Sequence, residues 1–565
     1  MRERTKVLRL AAACVLTLLF ASPTFAATES ELLATLQEEL LYNFDKLKNA
    51  DTVPLYYLSY QVIESQEYNV SAELGALESE DDSHVRDLDV IARVGSYELD
   101  NSREVPGAGG GLSTGAVDLP LGNDPVALKM KIWEETDRRY KEVQKQYTNV
   151  ITGTTVKVEA EDQSDDFSRE EPSIYIGDVA GLDYDRQIWE DKLVRYSSIF
   201  SNYPEIENSS VSLSARTRNS YLVTTEGTKI QDGQSYIRLN IMCSSTADDG
   251  MVLRRFEGFD AADFSNMPDD ETVITAINRL IDELLALKSA PLAEPYTGPA
   301  ILTGRASGVF FHEIFGHRME GHRQKSESEG KTFTDKVGES VLPEFISVFS
   351  DPTMRTFNGI DLRGHYKYDD QGIEARRVTL VDKGILETFM LSRTPIENFP
   401  HSNGHGRKYV GFAPIARQAN LIIESEKSVG FDELKEMLIE ECKLQGKPYG
   451  LIFQDISGGF TFTGRFLPQA FKVIPLMVYK VYVEDGHEEL IRGVDIVGTP
   501  LTSFSKIMIA GNDPDVFNGT CGAESGWVPV SAISPSLLLS EIEIERSQKG
   551  QERPPLLPSP LTKQQ

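Results

Sequence analysis

Histidine, cysteine and tryptophan are scarce in this chain, at 8, 4 and 3 of 565 residues. Four cysteines are too few for a disulfide framework in a chain of this length. Positive charge is also in short supply. Lys and Arg total 57 against 87 Asp and Glu, a formal net charge of −30. That balance argues against nucleic acid or an anionic membrane surface as a partner. Beyond the N-terminus there is no apolar run near the ~20 residues that cross a bilayer, so no stable membrane span is expected. Nor is there a tandem repeat of the kind that marks solenoids or propellers.

What is present begins at the N-terminus. Arg2, Arg4, Lys6 and Arg9 precede an apolar stretch over 10–20, and Thr24, Phe25 and Ala26 follow. This reads as a secretory signal peptide over 1–26, cleaved after Ala26, and predicts an exported, periplasmic protein. Cys14 would leave with it. Of the remaining thiols, Cys243 and Cys442 read as buried apolar groups, with a disulfide as the alternative.

Two of the rare histidines stand close together, in His312-Glu313-Ile314-Phe315-Gly316-His317. Imidazoles ligate zinc well, and an adjacent carboxylate can act as a base toward metal-bound water. The HExxxH spacing is one residue longer than the H-E-x-x-H of zinc proteases. At about 100° per residue, positions i and i+5 of a regular helix point about 140° apart. To share one ion the helix must widen or bend. A π-bulge is the expected device, with Gly316 the position where distortion strains least.

Residues 304–321, GRASGVFFHEIFGHRMEG, resemble the active-site helix of the TldD/PmbA family of metallopeptidases. Residues 518–537, NGTCGAESGWVPVSAISPSL, are similar to that family's Cys-Gly block. YKYDDQG at 366–372, SNGHGR at 402–407 and the segment 209–229 carry weaker likeness. The resemblance implies zinc (Zn2+) held by His312, His317 and Cys521, with Glu313 as general base. Three protein ligands leave a fourth position for water, as catalytic zinc requires. It further implies a peptidase acting on peptides or unfolded polypeptide through zinc-activated water, working as a homodimer or as a heterodimer with a paralogue. The alternative is a non-catalytic zinc-binding subunit, or a peptide-binding partner of a paralogous peptidase. Glu320 is a candidate acceptor that orients an imidazole. His322 reads as a solvated histidine. His405 reads equally as a cleft residue or as part of an Asn-Gly turn.

Periodicity and turn residues divide the rest into an α+β chain: an N-terminal α/β region over 27–290 and a β-rich C-terminal domain over 296–545 that carries the HExxxH helix. Helices are expected over 28–49, 124–147, 184–200, 268–287 and 431–443. Strands are expected over 56–70 and 85–99, then within 211–241, with turns at Glu226-Gly227 and Asp232-Gly233. Further strands are expected at 378–381, 386–391, 419–424, 451–456, 472–484, 489–497 and 537–544. The Gly-rich 106–111 lacks a phosphate-loop ending and reads as a loop. The acidic 159–171 reads as solvated loop, and 546–565 as a disordered tail. A β-rich domain with a cleft at a sheet edge suits binding of an extended peptide by strand addition.

Overall fold

The computed structural model describes residues 27–49, 53–104, 113–156, 162–326, 329–461, 463, 471–498, 503–547 and 555–563. The expected signal peptide and the Gly-rich 106–111 lie outside these residues, as does much of the expected tail. The chain is α+β, with helices beside extensive sheets and a β-rich C-terminal part.

The first half is built on one seven-stranded sheet. Two long antiparallel hairpins form its centre: Leu55–Glu73 with Ala76–Val94, and Asn208–Thr224 with Lys229–Thr246. Gly75 and Gly227, both at positive φ, close these hairpins, a conformation that glycine adopts without a Cβ penalty. Val252–Ala261 adds to the last strand. Helices Glu31–Leu47 and Pro125–Val156 cover one stretch of the sheet, and Arg186–Ser198 and Asp270–Ser289 cover the next. Polar side chains cap three of them. Ser30, Asp185 and Asp269 accept the backbone N–H groups of Leu33, Ile188 and Thr272, which satisfies donors left unpaired at a helix start.

Several expectations shift. The second strand begins at Ala76 rather than 85, because the acidic 78–82 forms the solvent-facing end of its hairpin. Asp232-Gly233 is no turn. Both lie inside Lys229–Thr246, and Gly233 is needed because a Cβ there would meet Ala180 N at 2.3 Å. The described part of the acidic segment is a loop only partly solvated: Gln163, Arg169 and Glu171 are exposed, but Asp162 and Asp166 are buried, and Asp166 pairs with Arg103 at 2.8 Å.

In the second half, five strands close on themselves through the pairing of Leu537–Arg546 with Tyr296–Leu302. The others in that ring are Val494–Gly498, Phe471–Tyr482 and Tyr449–Thr461. A separate six-stranded sheet ends in the hairpin of Asp515–Ala523 and Gly526–Ser534. Helix Gly304–Ile314 packs between these two sheets, and Phe310, Phe311, Ile314 and Phe315 enter the main core. Expected strand 386–391 shrinks to Ile385–Leu386, and 489–497 divides into Glu488–Ile491 and Val494–Gly498 at Gly493, which has positive φ.

Candidate metal centre

Small residues bring the helix to its place. Gly304, Ser307 and Gly308 share one face at i, i+3 and i+4 spacing. A Cβ on Gly304 would meet Ser534 O at 2.6 Å, and one on Gly308 would meet Ala532 O at 3.2 Å. Ser307 and Ser534 hydroxyls hydrogen-bond at 2.7 Å. The helix therefore lies directly on strand Gly526–Ser534, whose hairpin partner carries Cys521 opposite Val528. His312, one turn beyond Gly308, faces that thiol.

The helix does not widen after His312. It ends at Ile314 and tightens into a 3-10 turn over Gly316–Met319, so the expected π-bulge is replaced by a bend. Gly316 is not at positive φ. Its missing side chain makes room for Gln418, whose Oε1 would lie 1.9 Å from a Cβ. Gln418 Nε2 in turn donates to the His312 carbonyl at 3.2 Å.

The bend brings His312, His317 and Cys521 together. One donor atom from each lies within 4.8 Å of the others, and all three residues are buried. His317 Nε2 is 3.4 Å from Cys521 Sγ. On its other side, His317 Nδ1 meets Glu320 Oε2 at 3.2 Å, the arrangement by which a carboxylate orients a ligating imidazole. His312 Nδ1 is buried without a hydrogen-bond partner. An orphaned imidazole nitrogen beside a thiol and a second imidazole fits a zinc ion, whose usual donors are nitrogen and sulfur. Burial disfavours a thiolate at Cys521, yet His317 and His312 outweigh it and hold the thiol well below its ordinary range. Burial also disfavours His317 as a cation, but Cys521 and Glu320 raise its pKa. Burial would raise Glu320, and His317 and Arg323 lower it instead.

Glu313, 9% exposed, lies in the last helical turn, with Oε2 4.0 Å from His317 Nε2. It is not on a solvated face. Gly459 stands over it, where a Cβ would come within 3.0 Å of Glu313 Cγ. His312, Glu313, His317 and Cys521 all line a cleft of about 420 Å³, together with Ser457 and Gly458.

Arg417 is the site residue that sequence reading missed. It is fully buried and donates to Cys521 Sγ at 3.2 Å, to Cys521 O at 2.8 Å and to Gly526 O at 2.9 Å. Only the fold brings it there from more than a hundred residues upstream. Of the other histidines, His322 is packed rather than solvated. Its side chain is 14% exposed and lies 3.9 Å from Glu524. His405 belongs to the interior and not to the cleft, with Nδ1 at Asn403 and Nε2 at Ser350. Burial pushes its pKa down to about 3. Cys243 and Cys442 are buried free thiols.

Residues 295–546 match the model of the PmbA/TldA metallopeptidase C-terminal domain. A metalloprotease of Archaeoglobus fulgidus is 29% identical over 242 residues, 42% of this chain and 51% of that protein. A metalloprotease of Methanocaldococcus jannaschii is 26% identical over 330 residues, 58% of this chain and 67% of that protein. A zinc metalloprotease TldD homologue of Saccharolobus solfataricus is 24% identical over 273 residues, covering 47% and 54%. The chain thus spans about half to two thirds of these relatives' own length. The fold is shared with TldE of Thermococcus kodakarensis, at TM-score 0.59 and 14% identity, covering 90% of this chain and 100% of that one. It is shared also with a putative modulator of a DNA gyrase from Thermotoga maritima, at TM-score 0.58 and 15% identity, covering 90% and 99%. The family likeness thus lies in residues 295–546, and the solved neighbours share the fold.

Proposed function

We propose that this protein is an exported, zinc-dependent peptidase that hydrolyses peptides or unfolded segments, with His312, His317 and Cys521 as metal ligands and Glu313 as general base. The observation that carries this reading is the buried donor set, within 4.8 Å, at the wall of a cleft that also holds Glu313. The relatives named metalloprotease support it at low identity.

Zinc, when bound, supplies a Lewis acid for a carbonyl oxygen and acidifies water. The chain supplies the rest. Glu313 takes a proton from the attacking water and passes it to the leaving amine. Glu320 fixes the orientation and tautomer of His317. Arg417 offsets the negative charge on Cys521. Gly458 and Gly459 pair with Ile474 and Val473 on one edge. Their other edge has no strand partner among the described residues. An extended peptide adding to that edge would place its backbone along the cleft without reading side chains. Selectivity then comes from access, which a homodimer or a heterodimer with a paralogue would set.

The test is mass spectrometry of unstructured peptides incubated with zinc-loaded protein and with Glu313→Gln. The expected result is cleavage by the wild type that falls by at least about 100-fold in the variant, with zinc retained. Equal cleavage by both would remove Glu313 from the mechanism. No cleavage by either, with zinc bound, would favour a non-catalytic subunit.

A further inference from the structure

A second cleft, of about 780 Å³, lies between the two halves of the molecule. Its floor is the sheet face of the first half that the helices leave bare. Side chains alternate along a strand. Val211, Leu213 and Ala215 enter the helix-covered core, as do Ile237, Leu239 and Ile241. Ser214, Arg216, Arg218, Tyr236 and Arg238 therefore point the other way, into the cleft. Its roof comes from the second half, with Arg355, Arg363, Lys367, Lys408, Trp527 and Pro529.

Most of these cations are neutralised locally. Arg216 pairs with Glu67, Arg218 with Asp370, Lys367 with Asp232 and the buried Lys408 with Asp89. Two are not. Arg238 takes both oxygens of Asp260, at 2.8 and 2.7 Å. Arg363 reaches only the shared Oδ1, at 3.3 Å, and its Nε is buried without a hydrogen bond. Arg355 is exposed and makes no ion pair among the described residues. Of the lining carboxylates, Asp361 is engaged by Ala262 N and Asn266 Nδ2, and Asp178 lies exposed in the loop after Ile174–Ile176. In a chain of net charge −30, two guanidinium groups without full counterions in one concavity are a recognition feature, since guanidinium forks match carboxylate geometry.

The two clefts are neighbours. Thr520 and Trp527 line both. Trp527 is 63% exposed, and Tyr409, also exposed, lines the second cleft beside it. A chain leaving the metal cleft over Trp527 would enter the second cleft. We propose that this cleft binds a carboxylate on the flank of the peptide substrate, either an acidic side chain or a free C-terminus, through Arg355 and Arg363. This rests on the peptidase reading and adds to it a preference for one charge class.

The experiment reads binding rather than turnover. Zinc-loaded Glu313→Gln protein is titrated by fluorescence anisotropy with three labelled versions of one unstructured peptide: neutral with an amidated C-terminus, neutral with a free C-terminus, and amidated with two Glu near the C-terminal end. The expected result is affinity about tenfold higher for one or both carboxylate-bearing peptides, an advantage that shrinks as salt rises. Which of the two gains identifies the source of the carboxylate. In Arg355→Gln, which removes an exposed group without a partner, and in Arg363→Gln, the ratio to the amidated peptide falls toward one. Equal affinity for all three peptides, no binding of any, or an unchanged ratio in both variants overturns the proposal. Binding is read apart from cleavage, so a clear carboxylate preference here together with no cleavage in the mass-spectrometry test would sink the peptidase reading and leave the anion site standing.

Discussion

Arg417 donates from Nη2 to the sulfur of Cys521 at 3.2 Å, while its Nε faces Glu320 Oε1 at 3.3 Å. One buried guanidinium thus bridges the thiol and the carboxylate that holds His317. It compensates two negative groups that burial alone would make costly.

Replacing Arg417 with Met should therefore do more than alter the metal site. It removes one of the two guanidinium groups beside Glu320, which keeps Arg323 at 2.9 Å, and takes away a donor to the carbonyls of Cys521 and Gly526. A loss of about 1–3 kcal/mol in unfolding free energy is expected, measured by urea denaturation with zinc chelated so that metal loss does not contribute. A change under about 1 kcal/mol would mean that Arg417 is not structurally coupled to the site.

Glu320 acts through His317. Glu320→Gln keeps the size of the side chain and an acceptor oxygen but removes the charge. Zinc affinity should fall by about 10–100-fold, the usual effect of losing an orienting carboxylate. Competition with a chromogenic chelator measures this directly. An unchanged affinity would show that the imidazole is held by packing alone.

Gly316→Ala tests the bend. The added Cβ would lie 1.9 Å from Gln418 Oε1, and Gln418 is buried and bonded to the His312 carbonyl. Overpacking of this kind costs about 1–3 kcal/mol, and the shift of Gln418 should also weaken zinc binding. Thermal denaturation and zinc titration report the two effects separately. A variant as stable as wild type with full zinc affinity would mean that the turn has slack.

Stability should drop in acid partly through Glu524. Partial burial would raise this carboxyl, but His322 and Arg323 hold it well below its ordinary range, and Arg323 grips it at 2.8 and 2.9 Å. A lowered acid pKa contributes stability that is fully present above the unfolded value of about 4.3 and is lost as pH falls through the folded value. Between pH 5 and pH 3 (on the order of the lower carboxylate window), Glu524→Gln should lose less stability than wild type, as read from urea midpoints. Parallel losses in both proteins would assign the acid sensitivity elsewhere.

Much of this molecule is visible in local sequence. Five helices were legible from their apolar spacing. The scarcity of histidine made His312 and His317 stand out, and the extra residue between them required a departure from a regular helix. The form of that departure was not legible. Gly316 permits several distortions, and the choice of a 3-10 turn depends on Gln418, a residue about a hundred positions away.

The hairpin that carries Cys521 was also hidden, since Asn518, Gly519, Gly522 and Pro529 weaken its strand pattern. No periodicity links Cys521 to His312, and only the docking of the small-residue face of Gly304–Ile314 on Gly526–Ser534 puts them together. The same holds for Arg417, an isolated arginine in sequence, and for the second cleft, whose residues come from both halves. Local pattern determined the long helices, many of the strands and the chemical types available for a metal site. Tertiary packing decided which of those groups meet, because donor geometry, burial and charge compensation depend on distances that no local stretch of chain encodes.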